Sequence, residues 1–211
     1  MEQTYAIELK NITKRFGKIV ANDGINLKVK RGEILSLLGE NGSGKTTLMN
    51  MISGIYFPDE GRILVDGKAV SIRSPKDSFD LGIGMIHQHF KLIDVMTAAE
   101  NIILGLKGNA VLDMKKVHKD IQELVDRYGF DLDPAQKVYT MSVSQKQTVE
   151  IVKMLYRGAN ILILDEPTAV LTPQEVDKLF EVLRNMRDDG RAIIIITHKL
   201  NEVLAISDRV T

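Results

Sequence analysis

The 211-residue chain contains no cysteine, so neither a disulfide nor a thiolate metal site can form, an absence that suits a reducing compartment. Charge of one sign is also missing: 28 Lys and Arg against 28 Asp and Glu leave a formal net charge of zero. A strong basic footprint is therefore absent and no nucleic-acid partner is expected. No apolar run approaches the roughly 20 residues of a membrane-spanning helix; Ala192 to Ile196 is only strand-sized. If the protein works at a membrane, other chains must cross it. The opening Met1 to Tyr5 has neither a basic region nor an apolar stretch, so no secretory signal is expected. There is no internal repeat, no low-complexity tract and no Asn-Lys-x-Asp guanine motif. What remains is 44% apolar residues, enough for one buried core or a core with an inserted subdomain.

The most informative stretch present runs Gly39, Glu40, Asn41, Gly42, Ser43, Gly44, Lys45, Thr46, Thr47. It fits the Gly-x4-Gly-Lys-[Ser/Thr] pattern and lies between the apolar run Glu33 to Leu38 and a helix start at Leu48 to Ile52. Glycines let backbone N–H groups curl around an anion, and the following helix aims its unpaired N–H groups at the same phosphates. Lys45 supplies a mobile charge for the β- and γ-phosphates, and the Thr46 hydroxyl is placed to ligate Mg2+. The chain is therefore expected to bind a nucleoside triphosphate.

Around this loop the pattern alternates between strands and helices. Tyr5 to Lys10 and Gly24 to Lys30 partly alternate, and Arg62 to Lys68 reads as a hairpin ending in Asp-Gly. Gly84 to Gln88 is a further short strand. From about Asp94 to Tyr156 the pattern turns helical, clearest where 114, 117, 121, 124, 125 and 128 share one face between a cap at Asp113 and a stop at Gly129. Asn160 to Asp165 and Ala192 to Thr197 are buried strands. Between them Thr172, Pro173 and Glu175 form a capping-box helix start closed by Gly190. The first of these strands ends in Asp165 and Glu166, which at a sheet's carboxyl edge face the ligand crevice. One carboxylate can hold Mg2+ through water, and the next can orient and deprotonate an attacking water. His198 follows the second strand, where it can contact the γ-phosphate, and Gln88 follows another, where its amide can ligate the metal.

These elements in this order resemble the ATP-binding-cassette (ABC) ATPases over essentially the whole chain. The resemblance implies an α/β P-loop NTPase with a RecA-like core, an antiparallel β subdomain and an inserted α-helical subdomain. Residues 1–93 and 157–211 would form the nucleotide-binding core with the β subdomain, and 94–156 the helical signature subdomain. The resemblance also implies that Phe16 stacks on adenine, Gln88 is the glutamine loop, Asp165 supports Mg2+, Glu166 is the catalytic glutamate and His198 the switch histidine. Thr168 to Thr172 matches the loop that contacts a partner cassette, and the segment from His89 to Met96 with the helices after it would meet the membrane partner. The family signature Leu-Ser-Gly-Gly-Gln corresponds to Met141, Ser142, Val143, Ser144 and Gln145. Ser144 stands where the second glycine belongs and Thr148 where many members carry arginine, so the site closed in trans is expected to be altered.

Glu166 to Pro173 and the signature valine look most like importers of simple sugars or nucleosides. The resemblance then implies ATP and Mg2+ as cofactors, and a second cassette (homodimeric or fused), transmembrane permease subunits and an extracytoplasmic solute-binding protein as partners. It places the chain on the cytoplasmic face of the membrane, peripherally. The stop at Asp208 to Thr211, where a family strand would be under way, suggests an N-terminal piece. Weak turnover from a degenerate signature, or a non-transport role on ribosomes, remain alternatives.

Overall fold

Strand segments that are buried at nearly every position become interior strands. In the computed structural model, which describes residues 5–87, 90–106 and 113–211, four such segments and one short exposed edge strand, Arg209–Val210, form a parallel sheet. They are β3 (Ile34–Leu38), β6 (Ile83–Ile86), β7 (Ile161–Asp165), β8 (Ala192–Thr197) and β9 (Arg209–Val210), in the order β6-β7-β8-β3-β9. Side chains alternate between its faces with period two. Leu162, Leu164, Ile193 and Ile195 pack toward one core, and Ile161, Ile163, Ile194 and Ile196 toward the other. The first core is closed by helices α3 (Ala98–Ile103), α4 (Met114–Tyr128), α5 (Val143–Tyr156) and α6 (Pro173–Asp188). The second is closed by α1 (Lys45–Ile52) and by an antiparallel sheet of β1 (Tyr5–Phe16), β2 (Ile19–Lys30), β4 (Glu60–Val65) and β5 (Lys68–Val70), ordered β2-β1-β4-β5. Two short helices, α2 (Pro75–Asp80) and α7 (Leu200–Ile206), complete the chain. The expected α/β architecture forms, with the antiparallel sheet beside the parallel one and α3 to α5 inserted between β6 and β7.

Helix ends follow local chemistry. The Asp113 carboxylate accepts the N–H groups of Lys115 and Lys116 at 3.0 and 3.2 Å, and Gly129 closes α4 at φ 78°. At α6, Thr172 and Glu175 satisfy each other's backbone N–H groups. β1 and β2 are longer than their alternation suggests, because Asn11 to Phe16 is largely polar and the pairing with β2 shifts register several times. The Asp66-Gly67 turn has positive φ at both residues, 48° and 77°, as a tight hairpin needs. The 94–156 stretch is less continuously helical than its pattern suggests. Pro134 has no N–H for a helical bond and the Asp133 side chain accepts the N–H of Ala135 at 2.9 Å, so a turn forms there.

Candidate nucleotide site

The carboxyl ends of three adjacent strands converge. β3 runs into the phosphate loop, β7 into Asp165 and Glu166, and β8 into His198; the register pairs Leu38 with Thr197 and Asp165 with Ile196. A cleft of about 650 Å3 opens there, lined by Asn41 to Thr47, Asp165, Glu166, Ile196 and, on β2, Ile19 to Ala21. Gly44 caps α1 in the left-handed region at φ 86°, and a Cβ on it would lie 2.4 Å from the Ala21 carbonyl oxygen. The Asn22 amide, on the buried side of β2, donates to the Gly44 carbonyl at 3.3 Å. Lys45 Nζ donates to the carbonyls of Gly39 and Glu40, both at 2.7 Å, and to Ser43 Oγ at 3.2 Å. Its charge is thereby held over the mouth of the loop.

Burial is the main cause that pushes the Asp165 carboxyl above the usual carboxylate range, with Glu166 adding to it; a hydrogen bond from Thr46 works in the opposite direction. Glu166 itself adopts φ 48°, a left-handed conformation unusual for a side-chain-bearing residue. Its N–H donates to the Ile196 carbonyl at 2.9 Å, and its Oε1 lies 2.7 Å from His198 Nδ1. The strained backbone thus turns the carboxylate toward the imidazole and the cleft.

Phe16 ends β1, half-exposed, with its ring edge-on to Tyr56 at 5.2 Å and 73°. It does not line the cleft; Ile19 and Val20, 70% and 50% exposed, do so instead. Sequence reasoning missed both, although two apolar residues just past the Gly17-Lys18 turn were the available signal. The signature residues lie elsewhere. Ser142 caps α5, accepting the Gln145 N–H at 3.2 Å while Gln145 Oε1 accepts the Ser142 N–H at 3.0 Å. Ser142 and Ser144 hydroxyls are 3.2 Å apart, Val143 is exposed, and the Thr148 hydroxyl donates to the Ser144 carbonyl at 3.1 Å. Ser142, Ser144, Gln145 and Thr148 line a separate cleft of about 530 Å3. The fold therefore does not bring the signature to the phosphate loop of the same chain. Gln88 lies outside the described residues.

Residues 22–169 match the sequence profile described as ABC transporter. The chain belongs to the ABC transporter family. It is 52% identical, over its full length, to the nucleoside import ATP-binding protein NupA of Lactococcus lactis subsp. cremoris. It is 54% identical over 98% of its length to the guanosine import ATP-binding protein NupO of Bacillus subtilis. It spans only 42% and 41% of those two relatives. Among solved structures it resembles a dimeric ATP-binding cassette in a post-hydrolysis state bound to ADP and Pi, with TM-score 0.80, 28% identity, and coverage of 97% of this chain and 92% of that one.

The donor set of this ABC cleft fits a hard divalent cation such as Mg2+. The Thr46 hydroxyl and the Asp165 carboxylate both offer oxygen donors and both line the cleft beside the phosphate loop. Among the described residues no group of three His, Cys, Asp or Glu could hold a metal alone. Mg2+ is commonly held by one or two protein oxygens supplemented by water and phosphate oxygens.

Proposed function

We propose that the chain is the ATP-binding and ATP-hydrolysing part of an importer of simple sugars or nucleosides, coupled to permease subunits it does not itself contain. The observation that carries this reading is the convergence of the phosphate loop, Asp165 and Glu166 on one cleft, with His198 2.7 Å from the Glu166 carboxylate. In this reading the loop N–H groups, Lys45 and the amino end of α1 cradle the β- and γ-phosphates of ATP. Thr46 and Asp165, and by the family resemblance Gln88, would hold Mg2+, which when bound would offset phosphate charge. Glu166 orients the attacking water and accepts its proton. His198, 2.7 Å from that carboxylate, turns its other ring nitrogen toward the γ-phosphate. Ile19 and Val20, which line the cleft, lie beneath the base and ribose, and Phe16, outside that lining at the end of β1, would have to swing from Tyr56 to stack on the adenine.

The separation of the signature from the phosphate loop supports a site completed in trans. Ser142, Val143, Ser144 and Gln145 would close on ATP held by a second cassette, and that cassette's signature on ATP held here. The division into a nucleotide-binding core at 1–93 and 157–211 and a helical subdomain at 94–156 belongs to the same reading. So do a solute-binding protein outside the cell and a place on the inner face of the membrane; among the described residues no helix is long and apolar enough to cross a membrane. The relatives named for nucleoside or guanosine import, at 52% and 54% identity, exceed those named for glucose or ribose import, at 47% and 46%, which favours a nucleoside as the solute. The test is solute uptake into vesicles by the full transporter. Lys45→Ala is expected to weaken ATP binding and abolish ATP-driven uptake; uptake at the wild-type rate sinks the proposal.

A further inference from the structure

A cluster of side chains stands behind Glu166 and His198 and lines no part of the cleft. Thr168, 2% exposed, lies on the loop after Glu166 and donates its hydroxyl to Glu202 Oε2 at 2.5 Å. Glu202 sits in the first turn of α7, four residues beyond His198, and its other oxygen pairs with Lys199 Nζ at 2.9 Å. Lys199 Nζ in turn donates to the Thr168 carbonyl at 3.2 Å and hydroxyl at 3.3 Å. Thr197, also buried, accepts the Lys199 N–H at 3.1 Å and donates to Glu202 Oε2 at 3.4 Å.

This ring of hydrogen bonds joins two loops that are otherwise separate in sequence. One carries Glu166 and the other carries His198. The Glu202 carboxylate is largely removed from water, with 14% of its side chain exposed, and its donors all belong to those loops. Beyond Thr168 the loop emerges at Val170, 64% exposed. The cluster therefore fastens the base of a loop whose tip is free.

We propose that Glu202 is a positioning residue for hydrolysis, which with Thr168 and Lys199 locks the two loops together so that Glu166 and His198 keep their 2.7 Å pairing. The inference rests on the reading that those two residues act on the γ-phosphate. Glu202 touches neither water nor phosphate in this scheme, and its effect passes through the geometry of the pair. Misplacement of a reacting group by about 1 Å can lower a rate about a hundredfold, so loss of the ring lowers kcat rather than ATP affinity.

The test measures ATP turnover against ATP concentration for the full-length chain assembled with its partners, with thermal melting of each variant. Glu202→Ala and Thr168→Val are expected to lower kcat about tenfold or more with KM changed less than about threefold. Thr168→Ser, which keeps the hydroxyl, is expected to retain most of kcat. A kcat within twofold of wild type for Glu202→Ala and Thr168→Val overturns the inference. So does a loss in Thr168→Ser as large as in Thr168→Val, or a loss of ATP binding and thermal stability in step with kcat, since the cluster is then only structural. Glu166→Gln, run alongside, separates the two layers. Retained turnover in that variant overturns the functional reading and the inference with it. An inactive Glu166→Gln beside active Glu202→Ala and Thr168→Val overturns the inference alone.

Discussion

Two glycines of the phosphate loop share a left-handed backbone, Gly42 at φ 85° and Gly44 at φ 86°, yet alanine should affect them unequally. Either replacement forces a side-chain-bearing residue into the left-handed region, at a cost of about 1–2 kcal/mol. For Gly42→Ala the cost ends there, because nothing lies within 4 Å of the new Cβ. For Gly44→Ala the Cβ would sit 2.4 Å from the Ala21 carbonyl oxygen and 2.9 Å from Asn22 Nδ2. Real Cβ atoms do not approach backbone oxygen so closely, so the loop must lift away from β2, adding about 1–3 kcal/mol of overpacking. For a domain of this size, 1 kcal/mol shifts Tm by about 2–4 °C. Gly44→Ala should therefore melt roughly 2–12 °C below Gly42→Ala. It should also lose more nucleotide affinity, because the lifted loop carries the first N–H groups of α1 with it. Paired thermal melts and titrations with a fluorescent ATP analogue measure both. Equal melting temperatures and equal affinities would refute the close approach of β2 to the loop as the reason for glycine at 44.

Three further outcomes follow from the same geometry. Asp165 has its carboxyl raised by burial, so its contribution to stability is fully present below the unfolded value and lost as pH rises through the raised folded value. Asp165→Asn should therefore raise Tm at neutral pH in Mg2+-free buffer, with the gap closing below about pH 4, while losing any Mg2+-dependent rise; a lower Tm contradicts this. Tyr128 donates to Asp189 at 2.5 Å and accepts from Arg191 at 3.0 Å, tying α4 to the end of α6, and this bond is the first cause holding Asp189 below the usual carboxylate range. That stability is present above the unfolded carboxylate value and lost as pH falls through the lowered one. Tyr128→Phe should cost about 1.5–3 kcal/mol at pH 7 in chemical denaturation, with a smaller deficit below about pH 4; a pH-independent deficit speaks against the Asp189 bond. Ser144→Gly frees the Ser142 hydroxyl from its 3.2 Å neighbour and should raise ATP turnover in the assembled transporter several-fold; unchanged turnover means that Ser144 is tolerated at the trans site.

The parts of the site legible in sequence are those whose chemistry is local. The phosphate loop, the Asp165-Glu166 pair and the caps at Asp113 and Thr172 each declare themselves within a few residues. Ile19 to Ala21 were hidden, because they reach the cleft only through the pairing of β1 with β2 and the contact of β2 with Gly44. Glu202 was hidden for a similar reason: its partner Thr168 lies 34 positions away, joined by the adjacency of β7 and β8. The second half of β1, Asn11 to Phe16, is largely polar and gave little period-two signal, since its register shifts break the alternation on which such reading depends. The order of the motifs carried the family resemblance, which already implied a site closed in trans; the fold adds that the signature and the phosphate loop line two separate clefts.

In the proposed function Glu166 activates the water that attacks ATP held by the Gly39 to Thr47 loop. The most direct measurement is ATP binding and ATP turnover on one preparation of the assembled transporter carrying Glu166→Gln. Affinity within about threefold of wild type and turnover reduced at least about tenfold are expected, since general-base removal acts on the chemical step. Turnover near the wild-type rate, with ATP still bound, would contradict that role for Glu166.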